Sequence, residues 1–214
     1  MSVTITGCWG TPGRRFAWPL SMVRVVGSPS EGEEPITVEE ANRHLKQPDA
    51  TPEDELVARW IRTARRMVEH TTAIALVLQT WDLYLDRLGP CPGWLELPWW
   101  PVQSIDAFVV IHTDGSETAI DAADYYINTT RRPSIIGVLT VPSFSTARSA
   151  AAVRLRTTVG FDTVAQIPPE LVHAMYLLVG HFARRRGDDP DLQPPLVASG
   201  AQAVLDPFVL PVVA

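Results

Sequence analysis

The chain has 214 residues, 46% of them hydrophobic and 20% charged, enough apolar material for a sizeable core and too much for wholesale disorder. Its formal net charge of −6 disfavours nonspecific capture of a nucleic-acid backbone, which needs clustered Lys and Arg to displace counterions. No run approaches the roughly 20 apolar residues that span a bilayer, and the opening MSVTITGCWGTPGRRF lacks the apolar core of a secretory signal, so the expectation is a product of the cytoplasm without a membrane partner.

Residues 1–35 are rich in Gly, Pro and Ser and hold no sustained period. They read as an extended arm or flexible leader. Order begins at Ile36. Thr37 followed by Glu40 forms a capping box, the hydroxyl accepting the Glu40 amide and the carboxylate returning to the Thr37 amide, and predicts a helix over 37–46 stopped by Pro48. Thr51-Pro52-Glu53-Asp54 starts a second helix over 52–72, with Thr51 as N-cap, Pro52 in the first turn and acids at the positive end. Leu56, Val57, Trp60, Ile61, Ala64, Met67 and Val68 recur at helical spacing and make one apolar stripe.

The period then changes to two. Val77–Asp86 alternates, and further strands are expected at Ser104–His112, Glu117–Ile120, Tyr125–Asn128, Ile135–Val141 and Ala152–Val159. Together they make a β-rich insertion over about 76–159. Thr113-Asp114-Gly115-Ser116 is a hairpin turn in which Gly supplies positive φ. Pro98, Pro101 and Pro133 mark edges or connections. Pro168-Pro169 opens a last helix over 169–186 carrying Leu171, Met175, Leu178, Val179 and Phe182. Beyond Gly187 come the acidic, Pro-rich DDPDLQPP and the apolar VLDPFVLPVV, a linker and C-terminal arm over 188–214.

The ordered set ITVEEANRHL, EDELVARWIRTARRMVEHTT, LVLQTWDLYLD, LPWWPVQSI, DGSETAIDAADYYINT, AVRLRTTVGF and IPPELVHAMYLLVGHFARRRG resembles the head-tail connector, or adaptor, family of long-tailed phages and gene transfer agents. The resemblance covers about Ile36 to Gly187, with a weaker echo at VASGAQAVLDPF. It implies a structural ring, twelve-fold in the virion neck, that bridges the portal protein to the next neck or tail-completion protein and leaves a channel through which DNA passes. It brings no catalytic residues. Two departures stand out. The family usually has Gly in the turn after the long helix, where this chain has Thr71-Thr72-Ala73, and the leader before Ile36 is longer than usual.

The chemistry in the sequence is sparse. His44, His70, His112, His173 and His181 form no HExxH and no paired Cys/His zinc spacing; His173 and His181 are eight apart and could share a helix face, with a surface or interface role preferred to metal ligation. There is no GxSxG elbow and no phosphate-binding Gly loop. Asp82, Asp121 and Asp124 read as caps and turns rather than acid-base partners. Cys8 and Cys91 cannot build a disulfide framework and read as free thiols. No catalytic residue, metal ligand or cofactor is therefore assigned.

Interaction residues are easier to nominate. Trp99 and Trp100, between two prolines, either pack a core edge or anchor a subunit contact, and the contact is preferred. Arg59, Arg62 and Arg66 line the face opposite the apolar stripe, either as a solvated surface with Glu55 and Glu69 as helical partners or as one side of a head-to-tail ring interface. Arg184–Arg186 complement the negative end of the last helix. Leu205, Pro207, Phe208, Val209 and Leu210 form the apolar strip expected to order on the portal. The fold expected is α+β, with helices from both ends of the order packed together and a small antiparallel sheet inserted between them.

Overall fold

The computed structural model describes residues 20–25, 34–46, 54–85, 93–139, 150–185 and 194–209. In chain order the strands are β1 (Leu20–Val25), β2 (Gln79–Leu85), β3 (Gly93–Glu96), β4 (Val102–His112), β5 (Glu117–Ala119), β6 (Tyr125–Asn128), β7 (Ile135–Val138) and β8 (Ala150–Val159). The helices are α1 (Val38–Leu45) and α2 (Asp54–Thr72) between β1 and β2, then α3 (Pro169–Arg184), α4 (Pro195–Ala198) and α5 (Ala201–Leu205) after β8. The fold class is α+β as expected. The chain forms two compact units: Met1–Gly27 with Thr80–Thr158, which holds nearly all of the strands, and Ser28–Gln79 with Val159–Ala214, which holds the five helices.

The helical unit starts at the capping box. The Thr37 amide donates to Glu40 Oε2 at 2.9 Å and the Glu40 amide donates to the Thr37 hydroxyl at 3.2 Å, satisfying two N–H groups that a helix start otherwise leaves open. Asn42, buried on α1, donates to Asp54 Oδ1 at 2.8 Å and so ties α1 to the first turn of α2. Helix α2 buries Val57, Ile61, Ala64 and Val68 at alternating spacings of four and three, and α3 answers with Leu171, Ala174, Met175, Leu178 and Val179. The two helices pack on each other, α1 packs against both, and α5 lies on α3. Burial of each large apolar side chain contributes about 1.5–3 kcal/mol, so this seam is the main source of the unit's stability. Trp60, expected in mid-stripe, is only half-buried, as are Leu56 and Met67. They form the rim of the stripe because α2 turns its small and β-branched positions toward α3.

Helix α2 ends at Thr72, and the next residue, Ala73, has φ 56, the left-handed region in which glycine is usual. The departure noted at Thr71-Thr72-Ala73 therefore keeps the Gly-type turn with a Cβ in it. The following segment runs close to Gly160, whose φ is 111 and whose missing Cβ would overlap the Val77 carbonyl.

The sheet unit contains two sheets rather than one. The larger has the order β1-β2-β8-β4-β5 and the smaller β3-β7-β6. Residues 1–35 are not wholly an arm: β1 pairs antiparallel with β2 at the edge of the larger sheet. The hairpin between β4 and β5 turns at Gly115, φ 81, with the Ser116 amide donating to Asp114 Oδ1 at 2.9 Å. Strand β8 shows the two-residue period plainly, burying Val153, Leu155, Thr157 and Val159 in alternation with Arg154, Arg156 and Thr158. Asp121 caps the turn at Ala122–Asp124 through the Ala123 amide. Asp82 has a different role from the one expected: it is buried and holds Arg156 with two bonds, at 2.7 and 2.9 Å, across from β2 to β8.

Replacing Gly160 with Ala combines a positive-φ penalty with backbone overlap, and is expected to destabilise the chain by about 3 kcal/mol. Denaturant titration of the purified variant measures this, and a loss under about 1 kcal/mol would mean that the Val77 carbonyl can move aside.

Candidate functional site

The nominated interaction residues separate once placed on the elements. Arg59 and Arg66 are exposed on α2 and Arg62 is half-buried, all turned away from the Val57–Val68 stripe. The helical partner proposed for that face does not hold for Glu69. Its side chain is 5% exposed and that of Arg65 3%, and the two join at 2.9 Å. Arg65 also donates through Nε to Glu34 Oε2 at 2.8 Å. Glu69 Oε1 accepts from the Leu76 amide at 2.9 Å and from Gln79 Nε2 at 2.8 Å. Burial pushes the Glu69 carboxyl above the usual carboxylate range, against the opposing pull of Arg65, the Leu76 amide and Gln79. The i, i+4 spacing of Arg65 and Glu69 is a signal in the sequence, but it is the same signal that a solvent-exposed helical pair gives.

The tryptophan pair divides. Trp99 is 1% exposed; its indole Nε1 donates to the Thr157 hydroxyl at 3.1 Å and its ring lies 5.2 Å from that of Trp81. It is core of the sheet unit, not a surface anchor, because strand β8 supplies an apolar neighbourhood with one hydroxyl placed for the indole N–H. Trp100 is half-buried and is the member of the pair left near the surface.

The apolar C-terminal strip also divides. Leu205 is fully buried, as is Ala201, because α5 packs on α3 and α2. The tail thus belongs to the helical unit as far as Leu205, and a cut after Leu196 would strip core from that unit. Pro207 is exposed, Phe208 half-buried and Val209 39% exposed. Leu210, Arg186, Cys8 and Cys91 lie outside the described residues.

The histidines are dispersed. His112 is buried and bonded to the Thr118 hydroxyl at 2.8 Å. His173 is exposed and His181 half-buried against Phe182; burial first, then Arg185 and Arg184, hold the His181 imidazole below its ordinary range. Among the described residues no three His, Cys, Asp or Glu side chains gather to hold a metal ion, and no helix is long and apolar enough to cross a membrane.

No protein-family model matches the chain, and no curated protein matches it. Solved structures do. A chain from the neck of an empty gene transfer agent particle, computed with C6 symmetry, superposes with a TM-score of 0.73 at 22% identity, covering 90% of this chain and 97% of that one. A chain from the virion of a native gene transfer agent particle gives 0.73 at 23% identity with the same coverage. One from the neck of the native particle, computed with C12 symmetry, gives 0.71 at 23%, again covering 90% and 97%. This chain therefore shares the fold of chains found in gene transfer agent necks, and shares it over almost their whole length.

Two outcomes follow from this placement. Trp99→Ala should lower stability by about 3–5 kcal/mol, the usual loss for a buried aromatic, read by denaturant titration; a value below about 1 kcal/mol would put Trp99 back on the surface. For Glu69, a raised carboxyl in the folded state takes up its proton before the unfolded chain does, so its contribution to stability falls as pH rises from the unfolded value of about 4.3 through its own higher one. The stability of the native chain minus that of Glu69→Gln should shrink across this window, and a difference that grows with pH would reverse the assignment.

Proposed function

We propose that the chain is a structural subunit of a phage-like neck: a head-tail adaptor that assembles into a ring between the portal protein and the next neck component. The observation that carries this reading is the fold shared with gene transfer agent neck chains over 90% of this chain and 97% of theirs. The C6 and C12 symmetries of those necks support a ring, twelve-fold in the virion, built by head-to-tail contacts that do not need a self-complementary surface. The net charge of −6 suits a channel wall along which DNA slides without sticking. The chain would be made in the host cytoplasm and act in the virion neck, with no catalytic step and no cofactor.

In this reading the exposed face of α2, with Arg59, Arg62 and Arg66, and Trp100 on the sheet unit are ring-contact candidates, and Trp99 supports from within. Portal docking falls to Pro207, Phe208 and Val209 with the following Leu210; Leu205 serves as the anchor that fixes where this strip leaves the helical unit. A second reading, another neck or tail-completion ring protein with a different partner, rests on the same fold likeness.

The experiment is a mass measurement on the purified chain, alone and mixed with portal, paired with a truncation after Leu205. The adaptor reading expects a ring-sized species that co-sediments with portal, and a truncated chain that keeps its circular dichroism while co-sedimentation weakens. A ring that ignores portal and binds a tail-completion protein supports the second reading. Undiminished portal binding by the truncated chain removes residues 207–210 from the docking surface.

A further inference from the structure

Within the helical unit, the C-terminal turns of α1 and α3 border a cleft of roughly 330 Å³ lined by His44, Leu45, Lys46, Gly180, Ala183 and Arg184. Gly180 lines it with bare backbone. A Cβ at this buried position would stand 3.7 Å from both Arg184 Nη2 and His44 Nε2, so the two nitrogen-bearing heads converge over bare backbone. Both heads are held in place. Arg184 Nε donates to the Gly180 carbonyl at 3.2 Å, which leaves the Nη groups for a ligand, and the His44 ring lies 5.0 Å from that of Tyr176.

Lys46 completes the rim. It is the only lysine in the sequence, every other one of the 18 basic Lys and Arg residues being arginine. It caps α1 at φ 56 with its amide bonded to the Arg43 and Asn42 carbonyls, a left-handed position where Gly or Asn is usual and a long side chain is uncommon. Arg43, Arg65, Arg131, Arg154 and Arg156 each hold a carboxylate. Lys46 and Arg184 have none among the described residues.

We propose that this cleft seats an acidic side chain from a second copy of the chain, as the positive half of a head-to-tail contact. The proposal rests on the ring reading above and names one of its surfaces. Copies carrying −6 each repel on average, so a local positive surface set against a negative one favours close association. A heterologous interface supplies two such different surfaces. A fixed guanidinium beside an ammonium is suited to a carboxylate, since charge-assisted bonds of this kind are about twice as strong as neutral ones. Exposed acids on the same unit, Asp162 and Glu170 among them, are available for the opposite side.

The single lysine makes the test clean. Carbodiimide joins a carboxylate to an amine only where the two touch, and apart from the chain's α-amine Lys46 is the one amine it can use. An equimolar mix of light and isotope-heavy chain, cross-linked and digested, should yield mixed-label peptides joining Lys46 to an Asp or Glu, lost in high salt. Lys46→Arg should abolish the cross-link and leave assembly intact. Lys46→Glu combined with Arg184→Glu should weaken self-association by about 10–100-fold with unchanged circular dichroism. Ring-sized species whose Lys46 links only within its own copy, or whose mass ignores the double reversal, would overturn the cleft while leaving the ring reading standing. Reversals that change binding of portal or of duplex DNA but not self-association would overturn it in favour of that partner. A chain that stays monomeric both alone and with portal would take down both.

Discussion

The buried Arg65–Glu69 pair is the constraint from which the helical unit's geometry follows. Taking two charges out of water costs several kcal/mol each, and the mutual attraction offsets this only when the remaining donors and acceptors are also satisfied. Here they are. The guanidinium divides its bonds between Glu69 and Glu34, while Glu69 accepts the Leu76 amide and Gln79. Three stretches that are distant in sequence, before α1, within α2 and after it, are thereby pinned to one point. The path of residues 74–79 is set by that grip, and the close passage of Gly160 past the Val77 carbonyl is possible only along that path.

Much of this architecture was legible in the sequence because it is written in short-range patterns. Thr37 and Glu40 specify a helix start through bonds spanning three residues. Tyr125–Asn128 and the Gly115 turn follow from alternation and positive φ alone. What escaped depends on partners far along the chain. Arg65 and Glu69 look like any solvated helical pair until Glu34 and Leu76 close over them. Trp99, set between prolines, looks like a surface anchor until Thr157, 58 residues away, supplies its bond. Leu20–Val25 lies in a stretch rich in Gly, Pro and Ser, whose composition conceals a strand until β2 is beside it. Leu205 read as part of a free strip because the Pro-rich linker before it gives no hint that the chain returns to α3. The candidate interaction surface was legible to the same degree: α2 presents its arginines outward as helical periodicity requires, whereas burial removed Trp99 and Leu205 from the exposed set.

Charge is used in two ways across the molecule. Most described arginines that meet an acid do so within the chain, and Arg156 with Asp82 shows how such a pair stitches neighbouring strands. Each such contact uses one charge of either sign, so the excess of 24 acids over 18 bases is left to set a negative balance. A protein of this kind resists indiscriminate adhesion to its own copies and to DNA alike. In the neck ring proposed above, which would surround a polyanion without gripping it, this balance would be functional.

Ala73 shows how a bend can be imposed from outside the residue that makes it. A left-handed turn is ordinarily secured by glycine, whose presence makes the conformation locally inexpensive. In this chain the residues on either side of the turn are fastened, Thr72 by the bond of its hydroxyl to the Val68 carbonyl one helical turn back and Leu76 by the bond of its amide to Glu69, so the backbone is held in the bend with alanine at the corner. The position thereby holds a residue with a Cβ in the left-handed region, at the expense of about 1 kcal/mol of strain. What a hinge residue would otherwise encode by its own conformational freedom is encoded here by the contacts that hold its neighbours.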